Sequence, residues 1–200
     1  MSSLVILRNW FLAALTPVFR WFGKQRLRFS TIKITAAHVK AIKISIRPGD
    51  IFLSKKIGEA TNLVIDGFFK HGAIYAPAPE RPEVVEAIGH GVDESDINEF
   101  LYKKDYVKVV RAKFLTAEER AQVAAIAREQ IGKPYDFLFD YAEEDNAAFY
   151  CFELIAWSIR QVKPDVILLS KDCLGEPTYY ADTFEDEELF DTVYDTREVA

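Results

Sequence analysis

Cysteine and histidine are the residues of this sequence that can carry out covalent chemistry at neutral pH. The chain has two cysteines, Cys151 and Cys173, and three histidines, His38, His71 and His90. A cysteine thiolate is a strong nucleophile, and a neighbouring imidazole can take its proton and form the Cys–His pair used in acyl transfer. Cys151 falls in the first turn of a predicted helix, where free amides and the helix dipole favour negative charge. Its own amide can also donate to the oxyanion of a tetrahedral intermediate.

The candidate base needs a partner that orients its ring. His71 begins an alternating strand, whereas His90 lies between glycines in a predicted turn and His38 lies in a basic segment. Glu86, on the strand after that of His71, is the leading candidate for the orienting group. A single cysteine, histidine or glutamate at such a position is more often structural than catalytic, so local chemistry alone leaves both interpretations open.

The elements that position these residues are predicted from apolar periodicity and turn signals. Alternation predicts strands at 51–56, 71–76, 83–88 and 106–112, with the second and third as antiparallel neighbours. A further strand is predicted within the segment AIKISIRP at 41–48, before a turn at 47–50. Helical spacing predicts a short helix within 57–70, a helix over 116–131 with a capping box, and one over 148–162 that carries Cys151.

Charge is divided unevenly along the chain. Residues 1–47 contain nine Lys or Arg and no Asp or Glu, so the total net charge of −6 leaves −15 for residues 48–200. We expect a basic amphipathic arm at 1–46 and one domain at 47–200 with an acidic C-terminal tail. The arm's predicted helix, 3–22, is interrupted by Arg8, Pro17 and Arg20, which suits neither a membrane span nor a signal peptide.

The partner of the arm stays open between two alternatives. The helix either lies in a membrane interface, with its aromatic residues buried and its arginines near head groups, or packs on the domain or on a partner protein. Its apolar content disfavours nucleic acid. Half of the chain is hydrophobic and only two residues are cysteine, which excludes wholesale disorder and a disulfide-dense secreted scaffold.

Five short motifs occur in a distinctive order: GDIFL at 49–53, HGAIY at 71–75, VEA at 85–87, GKPYDF at 132–137 and YCFEL at 150–154. This series resembles the circularly permuted branch of the NlpC-type papain-like peptidases, in particular the YiiX-like group. In ordinary members the cysteine helix precedes the histidine strand, whereas here His71 stands eighty positions before Cys151. The resemblance spans roughly residues 47–182.

The resemblance implies an α+β, papain-like fold, with an antiparallel, partly barrel-like sheet of five or six strands and the nucleophile helix packed against it. It also implies Cys151 as nucleophile, His71 as base and Glu86 as the orienting residue. Further residues are expected near the cleft as substrate-binding candidates, namely Tyr135, Asp136, Glu153 and Phe152.

One departure from the family pattern concerns the residue after the cysteine. Many relatives have a small hydroxyl residue there, whereas this chain has Phe152, whose ring either narrows the cleft or packs inward. Neither a metal nor a cofactor is expected.

The resulting functional hypothesis is a cysteine-dependent hydrolase, an amidase or peptidase that cleaves a peptide or isopeptide amide, cell-wall peptides included, through an acyl-thioester. One alternative is a membrane-associated lipid acyltransferase or phospholipase on the same fold. A second is a non-catalytic component of an assembly, docked through residues 1–46. The compartment stays open, since no clear signal peptide is present.

Overall fold

One six-stranded antiparallel sheet forms the centre of the fold. The computed structural model describes residues 34–57, 67–137, 146–173 and 176–198. The strands of the sheet are β1 (Ile51–Lys55), β2 (His71–Tyr75), β3 (Val84–Ile88), β4 (Gly91–Ser95), β5 (Tyr106–Ala112) and β8 (Phe190–Asp195). They lie in the order β4-β3-β2-β1-β5-β8, which leaves the sheet open, and β6 (Lys171–Cys173) and β7 (Glu176–Thr178) form a separate hairpin. The four strands predicted from alternation are therefore confirmed, as is the pairing of β2 with β3.

Helices in the described ranges complete the mixed α+β architecture that the sequence predicts. They are α1 (Ala36–Ser45), α2 (Ile97–Tyr102), α3 (Ala117–Glu129), α4 (Cys151–Val162) and α5 (Ala181–Phe184). The predicted capping box at the start of α3 is present, because Thr116 and Glu119 each accept a hydrogen bond from the other's backbone amide. None of the helices in this part of the chain is long and apolar enough to cross a bilayer.

The sheet is covered on both faces, so it has two apolar cores. Helices α3 and α4 pack on one face, against strand residues that include Ile51, Leu53, Ile74, Val85 and Ala87. Helices α1 and α2 pack on the other face, against the alternate residues Phe52, Ala73, Val84, Val107 and Val109. Successive strand residues point to opposite faces, which explains why neighbours in sequence belong to different cores.

Residues 36–45 form helix α1, so the strand predicted for this part of the chain is wrong. The hydroxyl of Thr35 accepts a hydrogen bond from the amide of His38, and Nδ1 of His38 accepts one from the amide of Thr35. Val39 and Ile42 are buried, whereas Ile44 is 66% exposed. Alternation suggested that Ile42 and Ile44 share a face, but the cap and the spacing of Val39 and Ile42 match a helix.

Two other predicted helices, those within 3–22 and 57–70, fall wholly or mostly outside the described residues. The proposed division at residue 46 also stays a prediction. The described end of the basic arm, α1, packs on the sheet through its buried apolar residues. The acidic tail, for which no element was predicted, contributes β8 beside β5.

Gly72 allows helix α4 to lie directly on strand β2. A Cβ atom at this position would be 2.6 Å from Cδ1 of Ile155 and 2.8 Å from Cδ1 of Phe152. Both of those side chains are buried, so neither can move aside at little cost. The glycine that follows His71 therefore sets how closely the helix beginning at Cys151 approaches the histidine strand.

Substitution of Gly72 by alanine should destabilise the fold. We expect Gly72→Ala to lower the free energy of unfolding by about 1–3 kcal/mol, the usual cost of overpacking a core. Gly89→Ala is the matched control, because a Cβ at Gly89 has no heavy atom within 4 Å. Urea denaturation of the two variants and the wild type provides the measurement. Equal stability of the two variants would contradict the close contact.

Candidate active site

His71 and Glu86 form a hydrogen-bonded pair on neighbouring strands. The register of β2 and β3 places Ala73 opposite Glu86, and His71 lies on the same face as Ala73 because the two are two residues apart. Nε2 of His71 is 2.7 Å from Oε2 of Glu86. The side chains are 19% and 8% exposed, respectively. An Nε2–H that donates to this carboxylate fixes both the ring orientation and the tautomer.

Glu86 is held by more than the histidine. The hydroxyl of Ser95, on β4, donates to Oε1 of Glu86 over 2.6 Å. Burial alone raises the pKa of Glu86, but the hydrogen bond and charge of His71, the charge of Lys104 and the Ser95 hydroxyl outweigh it. Together they lower the pKa of Glu86 from 4.5 to about 2. The carboxylate is therefore ionised at neutral pH.

Cys151 lies at the first position of α4, which places it in the first turn as predicted, although the helix begins at residue 151 and not at 148. The start of the helix is stabilised by Glu153, whose carboxylate accepts hydrogen bonds from the amide of Tyr150 at 3.3 Å and from Nδ2 of Asn146 at 2.9 Å. An amide at the first position of a helix has no partner within the helix. The Cys151 amide is thus positioned to donate to a group bound beside the sulfur.

His71 and Cys151 lie near each other and interact electrostatically, although they come from distant segments. Burial has the largest effect on the His71 pKa and lowers it, as does the charge of Lys104. Hydrogen bonds with Cys151 and Glu86, together with the negative charge of Cys151, outweigh both and raise the pKa of His71 from 6.5 to about 9. The arrangement therefore favours a protonated imidazole beside the sulfur of Cys151.

A small cleft adjoins Cys151, and the described residues that line it include no Asp, Glu, Lys, Arg or His. It is lined by aromatic and small polar residues, namely Tyr135, Tyr150, Cys151, Phe152, Thr178, Tyr179 and Tyr180. Burial raises the pKa of Tyr135 well above its usual value, and the negative charges of Cys151, Asp136 and Glu153 add to the effect. Its hydroxyl therefore stays protonated and can donate a hydrogen bond.

The remaining predicted site residues support the start of α4. The Asp136 amide donates to the carbonyl of Phe149, and the Phe149 amide donates to that of Pro134, both over 3.1 Å. The GKPYDF segment therefore pairs with the residues that lead into the helix. Phe152 is buried and its ring stacks on Phe184, with 6.0 Å between centroids. Of the two alternatives for this ring, the structure thus favours inward packing, although Phe152 also contributes to the cleft lining.

The other two histidines form hydrogen bonds away from the candidate site. Nε2 of His90 is 2.9 Å from Asp93 at the surface, and His38 takes part in the cap of α1. Two residues that act on the His71–Glu86 pair, Ser95 and Lys104, were not predicted, and neither were the cleft residues Tyr150, Thr178, Tyr179 and Tyr180. Ser95 could have been found by extending β3 through a two-residue turn, because it then lies diagonally across from Glu86. Lys104 lies between α2 and β5 and has no comparable signal.

Comparison with known proteins gives one family and one solved structure. The model of the family described as "Permuted papain-like amidase enzyme, YaeF/YiiX, C92 family" matches residues 45–187. A crystal structure of the metalloprotein yiiX from Escherichia coli O157:H7 is similar, with a TM-score of 0.59 and 19% identity. The alignment covers 76% of this chain and 98% of that one. At such identity the similarity concerns the fold. The search of curated proteins found no match.

Because yiiX is described as a metalloprotein, we asked whether the present chain has side chains arranged to bind a metal ion. Within residues 34–57, 67–137, 146–173 and 176–198, no group of three or more His, Cys, Asp and Glu side chains is arranged to hold a metal ion. The side chains in these ranges therefore do not fit a metal centre.

The raised pKa of His71 predicts a specific pH dependence of stability. A group whose pKa is raised on folding stabilises the native state below its unfolded pKa, and this contribution is lost as the pH rises through the folded value. For His71 the loss should run from pH 6.5 to about 9 and amount to on the order of 3 kcal/mol. The free energy of unfolding of the wild type should fall over this range relative to that of His71→Gln.

The control for this measurement is His90→Gln. It removes an exposed imidazole whose pair with Asp93 lies at the surface, where ion pairs contribute little. The profile of this variant should run parallel to that of the wild type between pH 6.5 and 9. Parallel profiles for His71→Gln and the wild type would contradict the interaction of His71 with Cys151 and Glu86.

Proposed function

The chain belongs to the permuted papain-like amidase family C92, and from this membership and its site we propose that it is a cysteine-dependent hydrolase of amide bonds. The observation that carries the proposal is the triad Cys151–His71–Glu86. Its imidazole is hydrogen-bonded to a buried carboxylate, and the interaction with Cys151 helps to raise the pKa of the ring. A nucleophile, a base and an orienting group in this order can perform acyl transfer.

The proposed reaction begins with attack of the Cys151 sulfur on the amide carbonyl carbon. Because Nε2 of His71 is bonded to Glu86, Nδ1 is the nitrogen that serves Cys151. The imidazolium gives its proton to the departing amine as the carbon–nitrogen bond breaks, which leaves an acyl-thioester and a neutral imidazole. Water then attacks the thioester while His71 takes its proton, and the acid product leaves as Cys151 is released.

The oxyanion formed in each half of the reaction needs hydrogen-bond donors. The Cys151 amide, at the first position of α4, supplies one. The Tyr135 hydroxyl supplies a second candidate, since it lines the cleft beside Cys151 and its raised pKa keeps the proton in place. Both are held before substrate arrives, the amide by the helix and the tyrosine by the backbone pairing of Tyr135 with Phe149.

The substrate we propose is a peptide or isopeptide amide, cell-wall peptides included. In the described part of the chain, the residues that line the cleft beside Cys151 include no Asp, Glu, Lys, Arg or His. The substrate group bound there is therefore expected to be uncharged, and charged groups of a peptide would lie further from the reacting carbonyl.

A second candidate, a lipid acyltransferase or phospholipase, is favoured by exposed apolar residues near the cleft. Ile167 is 80% exposed and Leu169 is 62% exposed. The hydroxyl of Thr183 donates a hydrogen bond to the carbonyl of Leu169 and accepts one from the amide of Tyr180. Tyr180 lines the cleft, so Leu169 lies near it. Apolar side chains at this place can contact the surface of a bilayer that supplies an acyl chain.

Removal of the sulfur tests the central proposal. Cys151→Ala should lower turnover of the best substrate by about 10⁴-fold or more, the usual effect of losing a covalent nucleophile. The measurement uses peptide, isopeptide and lipid-ester substrates, with circular dichroism to confirm the fold. Cys173→Ala is the matched control and should keep wild-type turnover. Full activity of Cys151→Ala on the substrate that the wild type cleaves would exclude the mechanism.

Liposomes distinguish the two candidate substrate classes. An amidase acting on soluble peptides should show the same turnover with and without phosphatidylcholine liposomes. A lipid-acting enzyme should cleave lipid esters, and liposomes should raise its turnover. The double substitution Ile167→Ser and Leu169→Ser should abolish the effect of liposomes and leave turnover without liposomes unchanged. These exposed side chains do not belong to the proposed Cys151–His71–Glu86 triad.

A further inference from the structure

Ser95 is hydrogen-bonded to Glu86, the orienting residue of the proposed Cys151–His71–Glu86 triad. Its hydroxyl donates to Oε1 of Glu86 over 2.6 Å, while Oε2 of the same carboxylate accepts from Nε2 of His71 over 2.7 Å. Each carboxylate oxygen thus has its own donor. Because only 6% of Glu86 is exposed, protein groups rather than water must satisfy its charge.

Backbone pairing fixes where the Ser95 hydroxyl lies. Strands β3 and β4 pair along five residues, with Glu86 opposite Asp93 and Val84 opposite Ser95. Ser95 is therefore the diagonal neighbour of Glu86 on the same face of the hairpin, a distance that side chains of this size can span. The following residue, Asp96, caps helix α2, which holds the end of β4 in place.

We propose that Ser95 is a positioning residue that fixes the direction of the Glu86 carboxylate, so that Glu86 holds the His71 ring toward Cys151. This inference rests on the proposed function of the Cys151–His71 pair. Without the hydroxyl, the carboxylate loses one of its two fixed donors and is free to rotate about its last bond. A rotated carboxylate no longer holds the Nε2–H of His71 in its direction, so the ring is less well aligned with Cys151.

Lys104 cannot take over this role. Its charge favours the ionised form of Glu86, but it also opposes the protonated form of His71. Nζ of Lys104 lies 4.6 Å from the centroid of the Phe100 ring, whose own centroid is 6.4 Å from that of His71. A charge at this place acts on the pair through space, whereas the Ser95 hydroxyl sets the direction of the carboxylate.

Alkylation of Cys151 as a function of pH tests the proposal without a substrate. The rate of reaction with iodoacetamide is followed by mass spectrometry of the Cys151 peptide, which separates it from Cys173. As the pH is lowered, the alkylation rate of Ser95→Ala should begin to fall at a higher pH than the rate of the wild type. At a pH where both rates are falling, the rate of Ser95→Ala should be about tenfold lower, the effect of one hydrogen bond to a charged group. Ser95→Thr keeps the hydroxyl and should restore the wild-type profile.

A double-mutant cycle separates positioning from a general structural effect. If Ser95 acts through Glu86, then Ser95→Ala should add no further change in a Glu86→Gln background. An equal loss in both backgrounds would overturn the proposal. Ser45→Ala is a matched control, since this hydroxyl bonds only a backbone carbonyl of α1, and its profile should equal that of the wild type.

The same measurement distinguishes failure of this inference from failure of the proposed function. If His71→Gln leaves the pH profile of Cys151 alkylation unchanged, the Cys–His pair itself is wrong. If the profile depends on His71 but is identical in Ser95→Ala and the wild type, the pair stands and only the role of Ser95 is refuted.

Discussion

The close packing of helix α4 on strand β2 is the constraint from which the site follows. The two segments are eighty residues apart in sequence, and no side chain at residue 72 separates them. Ile155 and Phe152 occupy the space that a Cβ would need. Since His71 precedes this glycine and Cys151 begins the helix, the contact that fills the core also brings the imidazole to the sulfur. The packing of the core and the position of the proposed Cys151–His71 pair are therefore coupled, because they depend on adjacent residues.

Two buried glutamates then support the two halves of the pair in different ways. Glu86 binds the ring of His71 and fixes its tautomer, so its charge acts on the proposed base. Glu153 accepts the amide of Tyr150 and the side-chain amide of Asn146, so its charge holds the backbone from which Cys151 projects. Burying a carboxylate is costly unless donors surround it, and in both cases the donors are supplied by neighbouring elements. Similar residues thus serve orientation at one place and helix initiation at the other.

The sequence predicts those elements and contacts that depend on residues close together in the chain, and predicts less well those that depend on distant residues. The alternation in β1, β2, β3 and β5 and the Thr116 cap are local, and each predicted element is present. The segment around Ile42 and Ile44 fits both a strand and a helix, and its outcome was decided by the cap at Thr35 and by burial against the sheet. The proximity of Glu86 to the His71 strand was expected from the two neighbouring strands, whereas the approach of Cys151 to His71 was expected from the order of motifs. The contribution of Lys104 arises from the path of a loop, which no periodicity encodes.

The surroundings of Cys151 differ on its two sides, and this bears on which part of a substrate lies where. The row His71–Glu86, with Ser95 and Lys104 behind it, is polar and charged, whereas the residues that line the cleft are aromatic or small and uncharged. In the proposed reaction the leaving amine must take a proton from His71, so it has to depart on the charged side. The acyl group, which stays on the sulfur until water arrives, is then the part that meets the tyrosines. The Phe152 ring packs against Phe184 and over Gly72, and Phe152 also contributes to the lining beside the sulfur. The selectivity of the site should therefore depend more on the acyl side of the scissile bond than on the amine that leaves.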